Sequence, residues 1–414
     1  MHEKKIQKFV EQIQVIAKEL KQQNLEDTSG VEPPYTAIGD GHYVIHGELL
    51  EKHRQLVEAV TASCENKCSE KYTENVIDDI IVSQVKRKNV RKATESIEKL
   101  LTDCGVTHRV YVPLAGVDVV DSLKIGNVRL VNTKRALKEI ISALKRTAEA
   151  RKDGQQLLDL EIPILEKEFS RGGCAVLEGV VAEHGKAREI AMEECAFIVD
   201  VLKFSSYPIY DRRSRVPHGI AIQSQHTWPI MTSFVISSDG HFSSSHSVVG
   251  QIRPFELSKG NIRIIRELGI IKFAQRRARN TLTDLDEQVR RSIHWFAESQ
   301  AQDSEENELL SLVVCMEMFL TPAGQNESIS GSIADGAAIL LRKGIENRCD
   351  LRKDIKKAYR VRSSITHGET SKVKVSMPDL RKNVFDLILL MMQNPKKWTS
   401  VNSVQDYLTE SKLA

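Results

Sequence analysis

Residues 108–117 read HRVYVPLAGV, and residues 123–132 read LKIGNVRLVN. Both are short runs rich in β-branched and aromatic residues, punctuated by Gly and Pro, and they predict the start of a sheet. Upstream the pattern is helical. Ile6, Phe9, Val10, Ile13, Ile16 and Leu20 recur every three or four positions, which marks one face of an amphipathic helix. The segment SGVEPPYTAIGDGHY (29–43) breaks that pattern, and helical stretches resume over 48–64 and 75–101. Downstream, helices are expected over 134–151 and 155–169, then a buried strand in CAVLEGVVAE (174–183) and an amphipathic helix through Ala187, Ile190, Ala191, Ile198 and Leu202. HGIAIQSQ (218–225) and PIMTSFVISS (229–238) read as strands, and SSDGHFSSSHS (237–247) as a polar loop or hairpin tip.

Beyond Pro254 the helical period persists, over 257–280, 282–300, 305–319, 329–343, 350–367 and 378–393. Thr283 ahead of Asp286 fits a capping signal, and Gly368 is placed to stop the fifth segment. The expected class is α+β: a mixed α/β N-terminal region followed by a C-terminal all-α bundle. Three segments follow from this, a helical region at 1–105, a mixed regulatory or sensing region at 106–255, and a helical bundle at 256–414.

Composition narrows the function. The 414 residues are 41% hydrophobic and 28% charged, ordinary values for a chain with a real core. A net charge of only +3 excludes a globally basic nucleic-acid coat and leaves room for a local basic face. No run approaches the ~18 apolar residues that cross a bilayer, and the N-terminus lacks a signal-peptide core. Seven cysteines, mostly in apolar or helical surroundings, read as reduced thiols. The expectation is a cytoplasmic protein without a membrane partner. No phosphate-binding GxxxxGK[ST] and no GxSxG element is present, which removes the sequence case for an NTPase or an α/β-hydrolase.

The stretch with most chemical content is KKAYRVRSSITHGE, 356–369. It places Arg362 and His367 near the end of a helix, a cation for a phosphate and a group for proton transfer near neutral pH. Those two suffice to cleave RNA through its own 2′-hydroxyl, with no metal or cofactor. Positions five apart are about 140° around an ideal helix, so convergence needs a long Arg side chain, a helix end at Gly368, or a second subunit. Ser363 with His367, and Arg362 with Thr366, are the four-apart pairs that meet, and Ser363 is a candidate to orient the imidazole. A second Arg-x4-His match, Arg213–His218, carries Pro217 in strand-rich flanks that argue against a helix.

Residues 342–362 hold nine Lys or Arg against Glu346, Asp350 and Asp354, a local net of +6. Arg352, Lys353, Lys356, Lys357 and Arg360 are the candidates to track an RNA backbone, with Tyr359 the main aromatic nearby. Such a run also occurs as a plain solvated helix face.

The blocks VRRSIHWFAESQ (289–300), LLSLVVCMEMFL (309–320), ISGSIADGAAILL (329–341) and AYRVRSSITHG (358–368) together resemble the Apea-like branch of the HEPN superfamily, helical-bundle proteins with an Arg-x4–6-His motif. The resemblance covers roughly 281–395, with RSSITHG its most specific part. YVPLAGV, LKIGNVRLVN and the strand–helix unit from Cys174 resemble the region often joined to that domain. The resemblance implies catalytic Arg362 and His367, with Glu317 of CMEMFL orienting Arg362. It also implies a homodimer with a composite site, and metal-independent endoribonuclease activity in antiphage defence or as a toxin, with a phage-derived trigger possible. The competing expectation is a non-catalytic dimeric RNA-binding or protein-interaction and sensor module.

Other signals are weaker. Cys64, Cys68, Cys104 and His108 offer zinc-type ligands in two four-apart pairs, but their spacing matches no standard finger. His241 and His246 lie in the Ser-rich stretch and read as exposed loop residues. Trp295 and Phe296 are expected in the core or at a dimer interface.

Overall fold

The computed structural model describes residues 2–23, 35–38, 43–65, 67–87, 90–102, 106–170, 172–209, 219–222, 230–236, 242–248, 254–302, 304–321, 329–368 and 374–413. The chain is mixed α and β and mostly helical. It divides into two compact units, one formed by Met1–Val110 with Leu177–Glu193 and the other by Tyr111–Val176 with Glu194–Ala414.

The first unit is built on four helices, α1 (His2–Gln23), α2 (Gly47–Ser63), α3 (Glu70–Arg87) and α4 (Val90–Thr102), with the antiparallel strands β1 (Tyr35–Ile38) and β2 (Tyr43–His46) ahead of α2. The apolar stripe of α1 does what its spacing dictates: Ile6, Phe9, Ile13 and Leu20 are buried in one core with Leu56, Val60, Ile77 and Ile97. Each such side chain contributes about 1.5–3 kcal/mol on leaving water. The stretch expected to be one helix over 75–101 is two, α3 and α4.

The chain continues through β3 (Val106–Ala115), β4 (Val117–Asp118), β5 (Leu123–Ile125), β6 (Val128–Asn132), α5 (Thr133–Glu149), α6 (Gly154–Glu168), β7 (Gly173–Ala182), α7 (His184–Ser206), β8 (Ala221–Ile222), β9 (Ile230–Ile236), β10 (Phe242–Val248) and β11 (Phe255–Glu256). Five of these strands form a sheet in the order β5-β6-β7-β3-β8. A separate antiparallel pair joins β9 to β10, with Phe234 opposite Ser244. The serine-rich stretch, expected as a polar loop or hairpin tip, contributes residues 242–247 to strand, because its backbone pairs along β9.

From Lys259 onward every element among the described residues is a helix: α8 (Lys259–Glu267), α9 (Ile270–Ala278), α10 (Asp284–Ala301), α11 (Glu305–Leu320), α12 (Ile329–Leu341), α13 (Ile345–Thr366), α14 (Met377–Gln393) and α15 (Val401–Leu413). The single helix expected over 257–280 is broken into α8 and α9 by Gly269, whose φ of +86° is left-handed backbone that a side chain disfavours. Helix α15 lay outside the sequence expectation. At the start of α10 the Thr283–Asp286 capping box forms in both directions. Helix α11 packs against α10, α12, α13, α14 and α15, and so carries the centre of this bundle. Phe204 of α7, Phe296 of α10 and Phe385 of α14 meet in a separate cluster, with Phe204 stacked on Phe385 at 4.6 Å and edge-on to Phe296 at 5.4 Å.

No helix among the described residues is long and apolar enough to cross a membrane. Cys64, Cys174, Cys195, Cys315 and Cys349 are free thiols, whereas Cys68 is disulfide-bonded, which corrects the expectation that all seven cysteines are reduced.

Candidate functional site

Helix α13 has few apolar positions, and their spacing orients everything else on it. Leu351, Ile355 and Ala358 are buried and recur at intervals of four and three, so one narrow stripe faces the bundle. Arg362 is the next position on that stripe. It is half-buried and directed at α11, where Glu317 breaks an otherwise apolar run between the buried Met316 and Phe319.

The result is a three-residue cluster. Arg362 Nη2 lies 3.5 Å from Glu317 Oε1, and the same oxygen accepts a hydrogen bond from the Tyr359 hydroxyl. The guanidinium carbon sits 5.7 Å from the centroid of the Tyr359 ring. Burial pushes the Tyr359 phenol up, and its bond to the Glu317 carboxylate pushes the same way, against a smaller opposing pull from Arg362. Tyr359 therefore stays protonated at neutral pH and acts as a donor. A partly exposed ion pair at this separation contributes about 0–1 kcal/mol, so Arg362 is positioned without being locked. Sequence reading singled out Tyr359 only for stacking. Its position three residues before Arg362, on the same helix side, is the signal that ties it to Glu317.

His367 is the C-cap of α13 and is exposed. Its backbone N–H reaches the carbonyls of Ser363 at 3.1 Å and Ser364 at 3.2 Å, and Gly368 closes the turn by donating to Ile365. Among the described residues nothing hydrogen-bonds the imidazole. Ser363, expected to orient the imidazole, meets His367 through its backbone carbonyl. Thr366 is also committed locally, its hydroxyl donating to the carbonyls of Arg362 at 3.1 Å and Ser363 at 2.9 Å. Arg362, Glu317 and Tyr359 thus come together, while His367 stands apart at the helix end with no hydrogen bond or ion pair to Arg362.

The basic run is more neutralised than its sequence suggests. Arg352 pairs with Asp335 of α12, Lys353 with Asp350 at 3.4 Å, and Lys357 with Asp354 at 3.1 Å. Arg342 donates to the Asn383 side chain at 2.5 Å, and Arg348 to the Arg342 carbonyl at 3.1 Å. Asp335 and Glu317 lie outside the counted stretch, so its +6 falls once they are included. The Asn383 side chain and the Arg342 carbonyl are neutral acceptors, so Arg342 and Arg348, with Lys343, Lys356 and Arg360, carry no ion pair among the described residues.

The zinc-type set does not assemble from what is described. The buried Cys64 thiol is pushed up to about 11 by desolvation and donates toward the Leu100 carbonyl at 3.7 Å, the opposite of a metal-bound thiolate. The Cys68 sulfur is in a disulfide, and His108 Nε2 is 2.9 Å from the Ala182 carbonyl. Cys104, Arg213, His218 and His241 lie outside the described residues, as does the side chain of His246. Phe296 is fully buried, as expected, whereas Trp295 is 38% exposed and is no core residue. Comparison with protein-family models, with curated proteins and with solved structures finds no match to this chain.

Proposed function

We propose that this chain is a metal-independent endoribonuclease of the HEPN type, with residues 256–414 as the nuclease module and the preceding region in a regulatory or sensing role. The observation that carries this reading is a half-buried Arg362, held between Glu317 and Tyr359, five residues before an exposed His367 on one helix. In the proposed reaction His367 removes the proton from the 2′-hydroxyl. The 2′-oxygen then bonds to the neighbouring phosphorus, the bond to the 5′-oxygen breaks, that oxygen takes the proton that His367 accepted, and the products carry a 2′,3′-cyclic phosphate and a 5′-hydroxyl. Arg362 neutralises the charge that builds on the phosphoryl oxygens. Within one chain Arg362 faces α11 and His367 faces solvent, so the reading uses a homodimer in which facing helices share one composite site. Antiphage defence or toxin action, with a phage-derived trigger, belongs to the same proposal.

The test compares wild type with His367→Ala on end-labelled RNA in EDTA. Cleavage by wild type alone, leaving cyclic-phosphate ends, is expected. Loss of cleavage in EDTA, or equal cleavage by both proteins, overturns the mechanism. A second reading, RNA binding without cleavage, draws on the free cations Lys356 and Arg360. It predicts salt-sensitive RNA binding that Lys356→Ala and Arg360→Ala weaken while His367→Ala does not.

A further inference from the structure

We propose that Asp200, His294 and Glu298 form a binding site for one divalent transition-metal ion of the zinc class. The three side chains come from two helices, Asp200 from α7 and His294 with Glu298 from α10, where a four-residue spacing puts both on one face. One ligand atom from each lies within 4.8 Å of the other two, and His294 Nδ1 is 2.9 Å from Asp200 Oδ2. A tetrahedral ion bound at about 2.0–2.1 Å needs its ligand atoms roughly 3.4 Å apart, so small side-chain rotations complete the set. One imidazole nitrogen with two carboxylate oxygens is a donor set that zinc and cobalt(II) both accept, leaving a fourth position for water.

Two further observations point the same way. The Asp200 side chain is only 15% exposed, and a carboxylate held this far from water needs a hydrogen-bonded or cationic partner. The Lys203 Nζ lies 3.5 Å from Glu298 Oε1. Two carboxylates thus lie beside one ammonium and one imidazole. The backbones are held independently of the cluster. Gln300 Nε2 donates to the Lys203 carbonyl at 3.1 Å, and Phe204 packs edge-on against Phe296, so the ligands sit on helices already fixed to each other.

The test is titration of the full chain with cobalt(II), read by its visible ligand-field absorption, and with zinc by calorimetry. One ion per chain is expected, with His294→Ala and Glu298→Gln each weakening it at least about tenfold and circular dichroism unchanged. Lys203→Met, which removes the competing ammonium, is expected to tighten binding. Absence of saturable binding overturns the proposal, as does binding indifferent to His294→Ala. A thiolate-to-cobalt charge-transfer band lost on mutating Cys349, the exposed free thiol, also overturns it by placing the ion elsewhere. These readouts are independent of RNA cleavage.

Discussion

Tyr359 donates its phenolic hydrogen to Glu317, through the same carboxylate oxygen that faces Arg362. One acceptor on α11 therefore serves a neutral donor and a cation from successive turns of α13. The stronger its bond to the phenol, the less of its charge is left to hold the guanidinium. Tyr359→Phe removes the neutral donor and turns Glu317 entirely toward Arg362. We expect a stability loss of about 1 kcal/mol and a fall in RNA cleavage of roughly tenfold, as Arg362 becomes less available to a phosphate. Urea unfolding and initial cleavage rates check the two parts separately, and unchanged rates would detach Tyr359 from the site.

His367→Ala separates chemistry from folding. The side chain is exposed and unbonded among the described residues, so its loss is expected to change stability by less than about 0.5 kcal/mol. Removal of a general acid–base group is expected to slow cleavage by about 10²–10⁴. A variant that loses activity together with its thermal transition would contradict the placement of this residue.

The strongest electrostatic test lies elsewhere in the bundle. Arg381 of α14 pairs with Glu308 of α11 through both guanidinium branches, with side-chain exposures of 11% and 1%. Removing one partner strands a charge away from water. Glu308→Gln and Arg381→Met are each expected to cost about 3–5 kcal/mol, while the double variant Glu308→Leu with Arg381→Met costs less than either. Chemical denaturation of the three proteins decides it. Additive losses would show that the pair is not coupled.

Glu183 supplies a pH dependence with a definite sign. It is the residue before α7. Burial acts to raise its pKa, but hydrogen bonds from the Gly185 and Lys186 N–H groups and from Ser69 outweigh that and hold the carboxyl below the usual range. A carboxyl whose folded pKa is depressed stabilises the fold above its unfolded pKa of about 4.3, and that stabilisation is lost as pH falls through the folded value. Glu183→Gln is expected to lower stability by about 1 kcal/mol at neutral pH, as loss of a helix cap does. The gap between variant and wild type should close on acidification below about pH 4, as measured by melting temperature across pH. A gap that widens there would reverse the assignment.

What was legible in the sequence is what depends on neighbours along the chain. The stripe of α1, the β-rich runs at 108–117 and 123–132, and the Thr283–Asp286 box were readable because period and cap chemistry are local. The failures have physical causes of the same kind. Gly269 sits inside an amphipathic run that would suit one long helix, and its left-handed backbone splits that run. The serines of β10 have turn-like propensity, and pairing with β9 overrides it. Helix α15 buries little beyond Val404 and Leu408, too sparse a stripe to stand out. At the site, the cations of α13 were countable, but their partners on other helices were not. Asp335 lies 17 residues from Arg352 and Glu317 lies 45 from Arg362, and nothing local links such pairs; the same holds on α14, where Arg381 lies 73 residues from Glu308.

Gly368 stands at φ +72°, the backbone state that ends α13, two residues past Thr366 and just beyond the C-cap His367. An alanine there would favour right-handed backbone and tend to extend the helix past His367. The imidazole would then leave the rim of the helix and join its wall, turned to whichever bearing the winding dictates. The aim of the imidazole is thus governed by a residue that has no side chain, and a survey that trims each residue of the stretch to its β-carbon would pass over it.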